Sequence, residues 1–360
     1  MSYWNASPVV SHGAGKYILH EFDAKFPVEN NRYFPEVMQG SSGVRPTGSG
    51  TISDSIKERL IFQQVLGQGS YGTVMKAEDT LTHQTFAVKM IRKTAVRGKE
   101  KYVIAERRVL QLASGTPFLV HAAFAIQTEM NILFGLKYVS CGDLFDLLDK
   151  KGRLDVTSSR FYAAELVCGI QFLHLKGVIH RDLKPENILI TDTGHIKITD
   201  FDLALVNMHG GRTSTSIAGT AGYIAPEMEA GKKFNTAVDW YSFGVTKDML
   251  TCECTYNPTL LRGISCSARD IIEKLLQKDP ARRLGLHGDI RGHRFFRSID
   301  WDSVETLKMA PPYIPEPPNS HPAFQAAKLD EIEAKEASVS PPSDTRTKFP
   351  GFSFVNWKTC

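Results

Sequence analysis

The sequence predicts an α+β protein of two lobes, a small β-rich lobe followed by a larger helical one. A glycine-rich loop over 67–74 is followed by an alternating run over 85–89, which is typical of a β-strand and ends at Lys89. Far downstream, the polar run over 180–187 and the Asp-Phe-Asp triplet over 200–202 follow a long amphipathic stretch, which is typical of a helix. Because each fragment alone is a weak signal, the order and spacing of the parts carry the prediction.

The predicted elements follow the chain in the order expected of two lobes. For the small lobe, over 59–138, we predict a strand beginning at 59–62, a helix over 102–113 and an apolar strand over 132–138. For the large lobe, over 139–296, we predict a helix starting near Leu144 and further helices over 161–174, 237–250 and 268–276.

Both ends of the chain lie outside these lobes. Residues 1–58 are rich in serine, glycine, asparagine and proline, and we predict a disordered N-terminal extension there. Residues 297–360 form a predicted C-terminal tail. Proline enrichment from about Trp301 argues against regular helix or sheet, so we expect this part to wrap a surface. A charged segment over 331–336 is a helix candidate, and a solvated face is its expected role.

Composition and charge exclude several classes of protein. Of the 360 residues, 42% are hydrophobic and 23% charged, as in ordinary soluble globular proteins. A formal net charge of +4 is too small for a dedicated nucleic-acid binder, and no run of about 18 apolar residues predicts a transmembrane segment. The first ten residues lack the pattern of a secretory signal, and the six cysteines show no paired zinc spacing. We therefore expect a cytoplasmic protein with reduced thiols.

The glycine-rich loop and the lysine after it are suited to holding the phosphates of a nucleotide. Gly67, Gly69 and Gly72 allow backbone amides to approach phosphates without a Cβ in the way. Lys89 supplies a positive charge for the α- and β-phosphates, and Glu106 on the following helix is the acid expected to hold that lysine, with a surface acid as the alternative. A dinucleotide-binding loop would open a helix directly, but the residues after this loop show no helical pattern.

The downstream motifs supply the groups that phosphoryl transfer to a hydroxyl requires. Asp182 is predicted to accept the proton of the attacking hydroxyl, and Lys184 to neutralise the transferring phosphate and to favour serine or threonine substrates. Asn187 and Asp200 offer oxygen atoms to Mg²⁺, which prefers such ligands. His180 is expected to be a packed core histidine. ATP and Mg²⁺ are therefore the predicted cofactors.

With these motifs the chain resembles the AGC group of serine/threonine protein kinases, and within it the catalytic region of novel (delta- or theta-like) protein kinase C. The resemblance covers about residues 59–360. Further stretches that carry it are Gly142-Asp143-Leu144, Tyr223-Ile224-Ala225-Pro226-Glu227, Asp239-Trp240-Tyr241-Ser242-Phe243-Gly244, Arg283-Leu284-Gly285 and Phe349-Pro350-Gly351-Phe352-Ser353-Phe354. It implies a two-lobed protein kinase fold with an AGC-type tail, and ATP-dependent phosphorylation of serine or threonine in proteins, at sites that contain basic residues.

The resemblance also implies binding positions. Leu66 and Val74, at the two ends of the loop, join the residues that bind the nucleotide. Asp143 and Glu186 match acids that receive basic residues of a protein substrate, and ordinary surface polarity is the alternative role of both.

Two phosphorylation sites follow from the same resemblance. Ser216 matches the activation-segment site, where a phosphate is expected to pair with Arg181. Ser353 matches the tail site, and the three phenylalanines over 349–354 are expected to dock on the small lobe beside the helix that carries Glu106. The implied partners are protein substrates and an upstream activating kinase, and we expect a monomer.

The chain departs from the resemblance in the metal-binding triplet, where Asp202 replaces glycine. Glycine there allows unusual backbone angles, and aspartate tolerates the left-handed region better than most residues. The added charge can help to hold metal or can displace Asp200. The segment after Leu250 is also shorter than in the family by about one loop and helix. An active kinase is the leading hypothesis; a pseudokinase or scaffold that binds ATP without efficient transfer, and a non-enzymatic interaction protein, stay open.

Overall fold

The structure is a computed structural model that describes residues 52–69, 72–251, 265–315, 326–339 and 349–356. Its helices are α1 Ile52–Arg59, α2 Glu100–Leu112, α3 Leu144–Lys151, α4 Val156–Leu175, α5 Pro226–Glu229, α6 Ala237–Thr251, α7 Cys266–Leu275, α8 Trp301–Glu305 and α9 Leu329–Val339. Its strands are β1 Leu60–Gln68, β2 Gly72–Asp79, β3 Thr85–Arg92, β4 Ala122–Gln127, β5 Asn131–Lys137, β6 Ile188–Ile190, β7 Ile196–Ile198, β8 Ala327–Lys328 and β9 Phe354–Val355. The predicted extension over 1–51 and the shortened segment over 252–264 lie outside the described residues.

The small lobe is built on a seven-stranded antiparallel sheet in the order β8-β1-β2-β3-β5-β4-β9. The central strand β3 places Lys89 between Val74 of β2 and Phe134 of β5. Because side chains alternate along a strand, Val88 and Met90 enter the core of the small lobe while Lys89 points to the opposite face. The α+β architecture with two lobes predicted from the sequence is confirmed.

The two outer strands of this sheet come from the C-terminal tail. β8 pairs with β1 at one edge, and β9 pairs with β4 at the other. An uncovered edge strand presents a row of unpaired backbone groups. The tail therefore covers part of each outer edge of the small-lobe sheet with a two-residue strand.

The helix that follows β8 is anchored on the small lobe. Leu329 at its start is 1% exposed and belongs to the small-lobe core. Glu333 accepts hydrogen bonds from Nδ2 of Asn131 at 2.8 Å and from Oγ1 of Thr128 at 2.5 Å. The helix predicted over 331–336 is present, but a fully solvated role is wrong at Glu333, because the β4–β5 turn supplies donors that local charge patterning does not reveal.

The large lobe is organised around α4, whose residues are mostly buried. The helix begins at Val156 rather than at 161 as predicted, because Asp155 caps it and accepts hydrogen bonds from two amides of the first turn at 2.8 and 3.0 Å. His174 in its last turn lies 2.8 Å from Asp239 of α6. This contact links the two central helices just before the catalytic motif over 180–187.

Two predicted boundaries differ for reasons that depend on packing. Residues 52–58, predicted as part of the disordered extension, belong to α1, because Ile56 is 3% exposed and joins the small-lobe core. α8 begins at Trp301, where proline enrichment was expected to prevent a helix, but the first proline after it is Pro311. The helices predicted over 102–113, 237–250 and 268–276, and the strand predicted over 132–138, are confirmed to within two residues. No helix in the described ranges has the length and apolar character needed to cross a membrane.

Candidate active site

Lys89, Glu106 and Asp200 meet in the cleft between the lobes. Nζ of Lys89 donates to Oε1 of Glu106 at 2.5 Å and to Oδ1 of Asp200 at 3.2 Å. Glu106 is 3% exposed, so the alternative of a surface acid is excluded. Because Lys89 lies on β3 and Glu106 on α2, their ion pair holds the helix against the sheet.

The charges around Lys89 determine its protonation state. Burial on its own lowers the pKa of Lys89, but the carboxylates of Glu106, Asp200 and Asp202 outweigh burial and raise the pKa well above its usual range. The side chain is therefore a permanent cation, as the binding of phosphate requires.

All five predicted loop residues that the structure describes line this cleft, which has a volume of about 1870 Å³. They are Leu66, Gly67, Gly69, Gly72 and Val74. A Cβ at Gly67 would meet no atom within 4 Å, so the space beside the loop is open to a ligand. A Cβ at Gly72 would instead clash with the carbonyl oxygen of Met90, so the reason for glycine there is the close approach of β2 and β3.

Asp182 is fixed by a hydrogen-bond network of three side chains. Oγ1 of Thr220 donates to Oδ1 of Asp182 at 2.6 Å and accepts from Nζ of Lys184 at 2.8 Å. Nδ2 of Asn187 donates to Oδ2 of Asp182 at 3.2 Å, and Nζ of Lys184 lies 3.4 Å from the same oxygen. The carboxylate is thus held in one orientation as an acceptor, with a cation beside it.

The backbone before Asp182 is held by the buried carboxylate of Asp239. Its two oxygens accept the amide hydrogens of His180 and Arg181, each at 2.9 Å. Burial alone raises the pKa of Asp239, but the hydrogen bond from His174, the charges of His174 and His180 and the Arg181 amide outweigh burial and lower the pKa. Arg181 has φ +70°, and these bonds hold it in that left-handed conformation.

The prediction that His180 is a core histidine is confirmed. Its side chain is buried, its Nε2 lies 2.9 Å from the carbonyl oxygen of Thr199, and its ring meets that of Phe201 edge-on at 5.3 Å. Both ring nitrogens are engaged, since Nδ1 accepts the amide hydrogen of Asp182 at 3.2 Å. His180 therefore supports the catalytic segment and is not placed to act as a base.

Asn187 and Asp200 have the donor chemistry that Mg²⁺ prefers. Both line the cleft, and Nδ2 of Asn187 faces Asp182, which directs the amide oxygen away from it. Among the described residues, no group of three or more histidine, cysteine, aspartate or glutamate side chains is arranged as a metal site. Mg²⁺ commonly takes one or two protein oxygens and completes its shell with phosphate and water. The two residues fit such a shared site.

Asp202 does not take over the unusual backbone that was expected of glycine. The positive φ in the triplet, +64°, belongs to Asp200, and Asp202 is absent from the residues with positive φ. Position 202 therefore does not require the left-handed tolerance of aspartate, because the left-handed residue of the triplet is Asp200. The substitution adds a charge near Lys89 without straining the chain at position 202.

Ser216 contacts the arginine that was predicted to receive its phosphate. Nη1 of Arg181 donates to Oγ of Ser216 at 2.8 Å and to its carbonyl oxygen at 3.2 Å. Burial lowers the pKa of Arg181 to about 10, against the effect of Tyr102 and Asp239, so the side chain remains charged near neutral pH. The cation is in place, and the phosphorylation itself stays a prediction.

The C-terminal tail docks on the helix that carries Glu106, as predicted. Phe349 and Phe352 are buried, and Nε of Arg107, the residue after Glu106, donates to the carbonyl oxygen of Phe352 at 2.6 Å. The side chain of Ser353 is exposed beside this contact. A phosphate at Ser353 can therefore form without disturbing the buried rings; its occurrence stays a prediction.

Asp143 and Glu186 lie near each other at the mouth of the cleft. Burial raises the pKa of Asp143 to about 6, and the charges of Asp146 and Glu186 add to this effect. Oδ1 of Asp143 also accepts the amide hydrogen of Asp146 at 2.9 Å, so this residue caps α3. Oε2 of Glu186 is buried and has no hydrogen-bond partner among the described residues. The pair offers negative charge to a cation of a substrate.

Sequence reasoning missed Thr220 and Asp239 as functional residues. Both are polar residues in or beside motifs that carry the family resemblance, and this was the available signal. It also missed the apolar side chains that line the cleft, such as Ala87 and Leu189. An apolar pattern locates a strand, but the tertiary arrangement decides which residues face the nucleotide.

A family model described as a protein kinase domain matches residues 60–296. The chain belongs to the protein kinase family. This protein kinase is 37% identical over 352 residues to protein kinase C delta type from Rattus norvegicus. That alignment covers 92% of this chain and 51% of the rat protein. It is 38% identical over 323 residues to the Mus musculus protein, and 35% identical over 324 residues to a putative protein kinase C delta type homolog from Drosophila melanogaster. These alignments cover 84% and 82% of this chain, and 48% of each relative.

The predicted resemblance to AGC serine/threonine kinases, and to protein kinase C delta in particular, is confirmed. The protein kinase spans about half the length of these curated relatives.

Proposed function

We propose that this protein kinase transfers the γ-phosphoryl group of ATP to serine or threonine hydroxyls of proteins, with Mg²⁺ as cofactor. The observation that carries the proposal is the ion pair between Lys89 and Glu106, closed at 2.5 Å in a cleft that also contains Asn187 and Asp200. A closed pair of this kind positions the phosphates, and phosphoryl transfer depends mainly on positioning and charge neutralisation.

When bound, ATP supplies the phosphoryl group and Mg²⁺ neutralises its developing charge. Asp182 accepts the proton of the substrate hydroxyl, with its carboxylate oriented by Thr220 and Asn187. Lys184 lies beside that carboxylate and stabilises negative charge on the group being transferred. Lys89, held by Glu106, binds the α- and β-phosphates.

We further propose that the substrates carry basic residues near the target hydroxyl. Support comes from Asp143 and Glu186, whose charges lie close together at the mouth of the cleft. A peptide with arginine before its serine should be phosphorylated faster than its alanine counterpart, and Glu186→Gln should reduce that difference. An upstream activating kinase, a monomeric state and a cytoplasmic location stay predictions.

The test of transfer is incorporation of radiolabelled phosphate from ATP into a basic serine peptide. Asp182→Asn preserves the size of the side chain and removes the proton acceptor, so it should lower incorporation by about 100-fold or more. Asp192→Asn, which changes an exposed acid in the β6–β7 turn, is the matched control and should have no effect. Equal incorporation by the wild-type and Asp182→Asn proteins would show that the signal is not this enzyme's own.

A pseudokinase is the second candidate, and Asp202 is the observation that favours it. Its carboxylate adds negative charge to a site that must attract a polyanionic nucleotide. If the wild-type protein binds MgATP in a melting assay but incorporates no phosphate into any basic peptide, this second function replaces the first.

A further inference from the structure

Arg181 is a buried cation that several segments of the chain share. It is 2% exposed, and its Nε donates to the carbonyl oxygen of Leu203 at 2.6 Å while its Nη1 donates to Ser216. Tyr102 of α2 hydrogen-bonds the same guanidinium. A buried guanidinium stays charged only if negative or strongly polar groups surround it, and leaving it uncompensated destabilises the fold.

Asp202 is one of the groups that surround this guanidinium. It directly precedes Leu203, so the contact between Nε and the Leu203 carbonyl brings the chain at 202–203 alongside the Arg181 side chain. Asp202 and Arg181 also line the same cleft. Burial lowers the pKa of Arg181, and Tyr102, Asp239 and then Asp202 oppose this lowering.

Asp202 lies among both cations and anions. Its carboxylate attracts Lys89 as well as Arg181, and it repels Glu106. Asp200, whose carboxylate lies 3.2 Å from Lys89, is a second acid in this group, so Lys89 is already paired with two carboxylates, Glu106 and Asp200. In relatives with glycine at this position such a side-chain charge is not available.

We propose that Asp202 is a positioning residue that neutralises Arg181 from inside the fold, so that the activation segment over 203–219 is held in place without a phosphate on Ser216. The inference rests on the proposed kinase function and deepens it, because it concerns the regulation of the same site.

The contact with α2 connects this arrangement to the nucleotide site. Tyr102 lies four residues before Glu106, so the two side chains share one face of α2. With Arg181 neutralised and fixed by Leu203 and Ser216, the hydroxyl of Tyr102 has a rigid partner. The Lys89–Glu106 pair then stays closed in the unphosphorylated protein.

The test compares Asp202→Asn with the wild-type protein, both treated with phosphatase and shown by mass spectrometry to carry no phosphate. Two quantities are measured: turnover on a basic serine peptide, and hydrogen exchange of the segment over 203–219. The unphosphorylated wild-type protein should be active and its segment protected. Asp202→Asn should lose about tenfold in turnover, or 1.4 kcal/mol of barrier, and exchange faster.

In the double variant Asp202→Asn with Ser216→Glu, the charge lost at position 202 is replaced by a carboxylate at position 216, which contacts Arg181 through Nη1. The double variant should regain most of the lost turnover and protection, whereas Asp192→Asn should behave as the wild type throughout. Full turnover and protection in Asp202→Asn, or no recovery in the double variant, would overturn the inference.

Two further outcomes are also decisive. A higher Mg²⁺ requirement in Asp202→Asn, with unchanged hydrogen exchange, would make Asp202 a metal ligand and overturn the positioning role. If the wild-type protein transfers no phosphate, the proposed function fails, but hydrogen exchange of 203–219 in the single and double variants still decides whether Asp202 holds the segment.

Discussion

At the residue scale, Lys89 is the side chain on which nucleotide binding should depend most. It is held by Glu106 and Asp200 and is permanently charged. Lys89→Met keeps the length of the side chain and removes the charge, so it should abolish most of the stabilisation by MgATP, which is about 2.7 kcal/mol for ligand at 100 times its Kd. The measurement is the melting temperature with and without MgATP, with the exposed Lys232→Met as control. If MgATP stabilised Lys89→Met as much as the wild-type protein, Lys89 would not be a nucleotide-binding residue.

A substitution at Thr220 tests the positioning of the catalytic base, Asp182, separately from nucleotide binding. The Thr220 hydroxyl is hydrogen-bonded to both Asp182 and Lys184, and valine would keep its shape while leaving those partners unconnected. We expect Thr220→Val to lower kcat by about tenfold, or 1.4 kcal/mol, with little change in KM for ATP. Thr193→Val, in an exposed turn, is the control. A change confined to KM would contradict the assigned role.

At the element scale, the tail should stabilise α2 and through it the nucleotide site. Phe352 is 3% exposed, packs against Phe134 at 5.6 Å, and its carbonyl accepts from Arg107. Phe352→Ala should cost about 3 kcal/mol of stability and weaken ATP affinity, because the Lys89–Glu106 pair forms less often. Thermal unfolding and ATP titration measure both effects, and the exposed Ser353→Ala should leave stability unchanged.

Removal of residues 349–360 extends this test to the whole docking segment. The shortened protein should melt at a lower temperature than Phe352→Ala, since it also loses β9 and the Arg107 contacts. A shortened protein with the melting temperature, ATP affinity and turnover of the full chain would mean that the tail has no role in activity.

The segment before β4 should make stability depend on pH. Burial, followed by the charges of Lys197 and Lys137, lowers the pKa of His121 from 6.5 to about 4. Because the folded protein disfavours the charged imidazole, the free energy of unfolding is highest above pH 6.5 and falls as the pH drops toward 4. After allowance for partial exposure, the loss is roughly 1–2 kcal/mol. Urea unfolding at pH 7 and pH 5 should show that the free energy of unfolding changes less with pH in His121→Gln than in the wild-type protein. The same change in both proteins would show that His121 is not the group responsible.

Local patterns predicted the helices and strands well where the periodicity itself reflects burial. The helix carrying Glu106 and the α6 and α7 helices lie where the apolar spacing placed them. The misplaced boundaries depend on partners distant in sequence or on a single cap. Ile56 is ordered by the core of the small lobe, and the start of α4 is set by the carboxylate of Asp155. Neither effect changes the 3.6-residue spacing of apolar residues from which a helix is predicted.

At the scale of the whole molecule, motif spacing was enough to predict which side chains meet in the cleft. Lys89 and Asp200 are 111 residues apart in sequence and lie within hydrogen-bond distance, as the order of the motifs suggested. The support around them was not predictable. Asp239 reaches the catalytic segment from α6, and the carbonyl oxygen of Leu203 accepts a hydrogen bond from the buried side chain of Arg181. Such contacts follow from the packing of helices, for which a single sequence has no direct signal.

The short outer strands that the tail adds at both sides of the sheet have a consequence for synthesis of the protein. Its five inner strands are complete at Lys137, whereas the outer strands lie at 327–328 and 354–355. At a ribosomal rate of about 5–20 residues per second, the last outer strand emerges roughly 10–40 s after the inner five. During that interval the nascent small lobe has two open edges, each able to pair with another chain. Chaperone protection should therefore matter most in this window, and a stop codon before 349 would leave one edge open permanently.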